Sequence, residues 1–232
     1  TGQNWMYLMD GELIESSVGV NTVANAAWQV VGGGDYNGDG SSDILWRNAV
    51  NGQNWMYLMD GATILSSEPV NTVSTDWTVE SSGDFSGDGQ SDILWRHNVT
   101  GLVWLYTMSG SSIVSSEEVR SVLPLWEIVG TADYNGDGTT DILWRRESTG
   151  QNWMHEMFGP TIINSDLVNT VRSTDWQVSG SGDYDGDGRA DILWRNLVTG
   201  QNWLYLMDGP TIIGSSVVNA VSNTDWNLVY LD

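Results

Sequence analysis

Cysteine and lysine are both absent from the 232 residues, histidine and phenylalanine occur twice each, and proline four times. Without cysteine the chain has neither disulfide staples nor a thiol nucleophile. All eight basic residues are arginines, and against 30 acidic residues they leave a formal net charge of −22. A nucleic-acid surface needs clustered cations and an anionic membrane surface repels such a chain, so neither is an electrostatic partner. No run reaches the roughly 18 apolar residues of a membrane helix, and membrane insertion is not expected. What is plentiful is tryptophan, 14 residues in a chain that is 40% hydrophobic, far more aromatic surface than a disordered acidic segment carries.

The tryptophans are periodic. TGQNWMYLMDG at residues 1–11 returns as NGQNWMYLMDG from Asn51, TGLVWLYTMSG from Thr100, TGQNWMHEMFG from Thr149 and TGQNWLYLMDG from Thr199, a period of 49 or 50 residues. Every tryptophan falls into one of three repeating classes, typified by Trp77, Trp95 and Trp104. Within one unit the segments WTVESSG from Trp77, DILWR from Asp92, VWLYTM from Val103 and SSIVSS from Ser111 are short, rich in β-formers and separated by glycine-containing turns. Four short strands per unit describe a propeller blade. VWLYTM is bulky on both alternating faces, so its sheet needs cover on both sides, which stacked blades provide. The expected fold is therefore an all-β propeller of four-stranded blades forming a single domain over 1–232. Four units are complete, and the frame predicts a five-bladed ring whose last blade is shared by residues 1–20 and a strand at 226–232. A piece of a larger propeller is the rival reading.

Between the first and second strand of each complete unit lies a nine-residue loop: DYNGDGSSD from Asp35, DFSGDGQSD from Asp84, DYNGDGTTD from Asp133 and DYDGDGRAD from Asp183. Oxygen-bearing side chains stand at positions 1, 3, 5 and 9, position 7 offers its backbone carbonyl, and glycines at 4 and 6 permit a tight wrap. This hard-donor set suits Ca²⁺ better than Mg²⁺ or Zn²⁺. An EF-hand would need a bidentate glutamate at position 12, where Trp46, Trp95, Trp144 and Trp194 stand instead. Polar hairpin turns alone do not explain carboxylates at positions 1, 5 and 9 four times over.

Four DxxGDGxxD loops, each followed by ILWR, resemble the calcium-binding FG-GAP or VCBS-type repeats of integrin α-chain propellers, bacterial secreted and surface proteins, and some lectins. The resemblance implies about four Ca²⁺ ions, held in turn by Asp35, Asn37, Asp39, Ser41 and Asp43; by Asp84, Ser86, Asp88, Gln90 and Asp92; by Asp133, Asn135, Asp137, Thr139 and Asp141; and by Asp183, Asp185, Asp187, Arg189 and Asp191, position 7 acting through its carbonyl. Ser86 departs from the usual Asp or Asn at position 3, while Asp185 adds a carboxylate, so the Asp183 loop is expected to bind most tightly and the Asp84 loop least. Thirteen of the 30 acidic residues are then metal ligands. Sites of this kind fill in millimolar extracellular calcium, which points to a secreted or cell-surface protein.

Catalysis is not expected. His155 and Glu156 replace a Tyr-Leu pair but, as neighbours on a strand, point to opposite faces, and His97 stands alone at a strand end. What repeats is an aromatic and polar set: Trp46, Arg47, Asn54 and Trp55; Trp95 and Arg96; Trp144, Arg145 and Asn152; Trp194, Arg195 and Asn202. These residues suit packing between blades. They are also what stacks on a sugar face and bonds its hydroxyls. The leading reading is a calcium-stabilised, multivalent binding propeller, a lectin or adhesion module with glycans or a cell-surface protein as partner; a purely structural module of a larger secreted protein or enzyme is the alternative.

Overall fold

The structure, a computed structural model, describes residues 2–223. It is all β. The strands are β1 (Gln3–Asp10), β2 (Leu13–Thr22), β3 (Trp28–Gly34), β4 (Asp43–Asn48), β5 (Gln53–Asp60), β6 (Thr63–Thr72), β7 (Trp77–Gly83), β8 (Asp92–His97), β9 (Leu102–Ser109), β10 (Ser112–Ser121), β11 (Glu127–Ala132), β12 (Asp141–Arg146), β13 (Gln151–Phe158), β14 (Thr161–Thr170), β15 (Trp176–Gly182), β16 (Asp191–Asn196), β17 (Asn202–Asp208) and β18 (Thr211–Val218).

Strands β3 to β18 form four antiparallel four-stranded sheets in chain order, blades I to IV, and β1–β2 form a separate two-stranded ribbon. The count differs from the expected five: among the described residues there are four four-stranded blades, with the ribbon packed before blade I. The strand expected at 226–232 lies outside the described residues. Sequence periodicity counts complete units reliably, but the two leading strands lack the acidic loop and second strand that make a unit into a blade.

The hydrophobic cores lie between blades rather than within one. Tyr36, Leu45 and Met56 of blade I meet Val79, Ile93, Trp95 and Met108 of blade II. Phe85, Leu94, Val103 and Leu105 of blade II meet Ile142, Trp144 and Met157 of blade III. Tyr134, Leu143 and Met154 of blade III meet Ala190, Ile192, Trp194 and Met207 of blade IV. The two-residue alternation of a strand explains the division: on β8, Ile93 faces one neighbour and Leu94 the other, and both are fully buried. The first strands surround a central opening lined by Gly32, Ser82, Gly130 and Ser181.

Candidate functional site

Each acidic loop is closed by its own first residue. Asp35 accepts N–H bonds from Gly38 (2.7 Å), Asp39 (3.1 Å) and Gly40 (2.7 Å). Asp84, Asp133 and Asp183 do the same in their loops. The position-5 aspartate in turn accepts the position-7 amide, as Asp137 does from Thr139 at 2.8 Å. Glycines make the wrap possible, with φ of +75° at Gly38 and +86° at Gly40.

The ninth residue is held from inside the blade. Asp43 accepts the amides of Tyr36 (2.9 Å) and Met59 (2.8 Å), so its carboxylate ties the loop to the third strand. Asp141 and Asp191 repeat this pattern, and Asp92 differs only in accepting Ser86 in place of the position-2 amide. Burial raises the carboxyl of Asp141 to about 7 and that of Asp92 to about 6, against the opposing effect of these amides. Asp183, by contrast, is exposed and held below the ordinary range, chiefly by the Gly188 amide.

Oxygen donors therefore converge at the loop mouth. Asp183, Asp185 and Asp187 each place a carboxylate oxygen within 4.8 Å of the others, an arrangement that suits a hard divalent cation. Arg189 competes there, pairing with Asp187 at 3.2 Å and Asp208 at 3.5 Å. In the other loops Asn37, Ser86 and Asn135 hold position 3, so fewer carboxylates meet. The loops are also joined between blades by backbone bonds: Ser91 N–H to Asp35 (2.6 Å), Thr140 to Asp84 (2.7 Å) and Ala190 to Asp133 (2.7 Å).

The repeating aromatic and polar set of the second and third strands lies in the seams. Trp46, Arg47, Asn54, Trp95, Arg96, Trp144, Arg145, Asn152, Trp194, Arg195 and Asn202 are all buried. Arg47 donates to the carbonyls of Gly52, Val73, Ser74 and Trp77 and to Asn54 Oδ1, while its guanidinium lies 5.0 Å from the centre of the Trp95 ring of the next blade. Arg96 over Trp144 and Arg145 over Trp194 repeat the contact. These arginines join one blade to the next by donating to carbonyls of the connector that leads into it.

Beside each of three seams is a cavity that sequence reasoning did not single out. One of about 270 Å³ is lined by Val23, Trp28, Trp46, Trp55, Tyr57 and Ser67. Its counterpart of about 210 Å³ is lined by Val73, Trp77, Trp95, Trp104, Tyr106 and Ser116. A third, about 340 Å³, has Trp126, Trp144, Trp153, His155 and Ser165 at the equivalent positions. The outer tryptophans are fixed by cross-strand bonds, Trp55 Nε1–H to Ser67 Oγ at 2.9 Å and Trp104 to Ser116 at 2.9 Å, and meet Trp28 and Trp77 edge to face. Trp46 and Trp95 keep a buried indole N–H with no acceptor among the described residues, whereas Trp144 donates to His155 Nδ1 at 3.1 Å. The signal was in the repeat: serine recurs 12 residues after each outer tryptophan.

A model of the FG-GAP-like repeat matches residues 35–95 and 84–144. No curated protein sequence matches the chain. Among solved structures, the nidogen/laminin complex contains a chain that this one resembles with a TM-score of 0.59 at 11% identity, over 96% of this chain and 76% of that one. The Photorhabdus luminescens Tc holotoxin pore matches with a TM-score of 0.41 at 15% identity, over 95% of this chain and 13% of the other. The V. cholerae biofilm matrix protein matches with a TM-score of 0.33 at 18% identity, over 82% and 30%. With acidic loops at the start of each second strand and cores between sheets, the protein is a β-propeller that carries FG-GAP-like repeats over residues 35–144.

Proposed function

We propose that this propeller is a multivalent glycan-binding module of the extracellular space, stabilised by calcium in its acidic loops, and that it binds rather than catalyses. The observation that carries the reading is the recurrence of one cavity: three tryptophans, a tyrosine or histidine and a serine, in the same order in successive seams. Indole faces stack on the apolar face of a pyranose, and the Tyr57 and Ser67 hydroxyls, each accepting one bond, keep an O–H to donate to its hydroxyls. Several modest sites on one rigid body gain avidity on a glycan-coated surface. Calcium is supported by the convergent oxygens of Asp183, Asp185 and Asp187 and by the closed loops around Asp35, Asp84 and Asp133.

A glycan array read in calcium and in EDTA tests this. Binding in calcium that falls on chelation and on Trp104→Ala supports it, and absence of any glycan signal in calcium overturns it.

A further inference from the structure

The cavity between blades II and III is built differently from its counterparts. Elsewhere a hydrogen-bonded chain crosses the seam. Asn54 donates to Asn71 Oδ1 at 2.9 Å, and Asn71 donates to the Tyr106 hydroxyl of the next blade at 3.3 Å. Asn4, Asn21 and Tyr57 repeat it at 2.8 and 3.1 Å. Asn152 likewise donates to Asn169 at 2.7 Å, and Asn169 bonds Tyr205. At the blade II–III seam all three members change together, to Val103, Arg120 and His155.

The exchange alters what the cavity offers. Val103 has no polar atom, so nothing on its strand holds Arg120. Arg120 forms no ion pair or hydrogen bond among the described residues, and it lines the cavity. His155 is 6% exposed and its Nδ1 already accepts the Trp144 indole N–H, which leaves Nε2–H as a donor. Arg120 and His155 thus bring only N–H groups, the lining contains no carboxylate, and the Ser165 hydroxyl already accepts Trp153 Nε1–H at 2.8 Å. The neighbouring cavities have a tyrosine hydroxyl, of Tyr57 or Tyr106, where this one has His155, and no cation in their lining.

Resting on the glycan-binding reading, we propose that the blade II–III cavity takes an acidic sugar, its carboxylate or sulfate held by the Arg120 guanidinium and the His155 Nε2–H, while the other cavities take neutral sugars. A planar guanidinium meets two anionic oxygens at once, and such charge-assisted bonds exceed neutral ones in strength. The net charge of −22 limits the ligand to an isolated acidic sugar, since a polyanion is repelled.

The test is an array of neutral, carboxylated and sulfated glycans in calcium, probed with the wild-type chain, Arg120→Asn, and the triple variant Val103→Asn, Arg120→Asn, His155→Tyr that restores the repeat. Melting curves establish that each variant is folded; Arg120 is exposed, so its single variant is expected to fold as the wild type does. The wild type should capture carboxylated or sulfated glycans, the two arms telling which, and both variants should lose about tenfold or more of that signal while keeping neutral binding. Neutral binding with no acidic preference that Arg120→Asn removes overturns this inference and leaves the proposed function standing. No glycan signal of any kind overturns both.

Discussion

The guanidinium of Arg145 lies 5.1 Å from the centre of the Trp194 ring, so a cation of blade III rests on the core tryptophan of blade IV. The same guanidinium donates to the Gly150, Val171 and Trp176 carbonyls and to Asn152 Oδ1. Arg145→Met keeps the stem and removes every one of these bonds. It should cost about 3 kcal/mol or more, because Asn152 Oδ1 and the part-buried Val171 and Trp176 carbonyls each lose a charged donor. Arg145→Lys should rescue little, since a point charge cannot span the same acceptors. Urea midpoints for the two variants check both statements.

Calcium withdrawal should be the largest perturbation available. With free ion at about 100 times Kd, each site contributes roughly 2.7 kcal/mol, so four contribute on the order of 11 kcal/mol. For a chain of this size EDTA should then lower Tm by about 20 to 40 °C. An unchanged melting curve contradicts calcium stabilisation. Because Arg189 occupies one oxygen of Asp187, Arg189→Thr should tighten binding at that loop in a calcium titration.

Glycine is required in the turn before each third strand. At Gly101, where φ is +68°, an added Cβ would lie 1.9 Å from the Val122 carbonyl oxygen. Gly11, with φ of +56°, has open space around it. Gly101→Ala should therefore cost about 2 kcal/mol or more, and Gly11→Ala only the strain of the left-handed conformation, about 1 kcal/mol. Equal costs in thermal melts would show that the carbonyl contact is not the cause.

His155 gives one seam a pH dependence. Burial, with Arg120 adding to it, lowers this imidazole to about 4. The folded state thus prefers the neutral ring, and the contribution is fully present above the unfolded value near 6.5. It is lost as pH falls from there towards 4. The stability difference between wild type and His155→Tyr should be flat above about pH 7 and move against the wild type in acid. A difference that stays constant down to pH 4 contradicts the assignment.

The acidic loops were legible because their constraint is local: Asp and Gly at fixed offsets close a nine-residue ring regardless of what surrounds it. The four-stranded unit was legible for the same reason. For Arg47 and Trp95 packing between blades was legible as one of two readings, but the choice between it and a ligand-facing role was not, because both faces of a blade strand carry large residues and spacing alone does not say which surface a neighbour covers. Trp28, Tyr57 and Ser67 escaped notice as a group, since the cavity they line exists only once Val23 of the preceding connector is laid against the blade. The blade count failed where the repeat is incomplete, in the ribbon of β1 and β2.

Each cavity is walled by one blade and closed by the connector from the element before it. It is the property of a seam, not of a unit. Duplicating one 49- or 50-residue segment adds one blade, one seam and so the side chains of one further cavity without any new residue having to arise. The number of cavities can grow in single steps by copying, and their linings can then diverge seam by seam through changes as few as the three that set Val103, Arg120 and His155 apart.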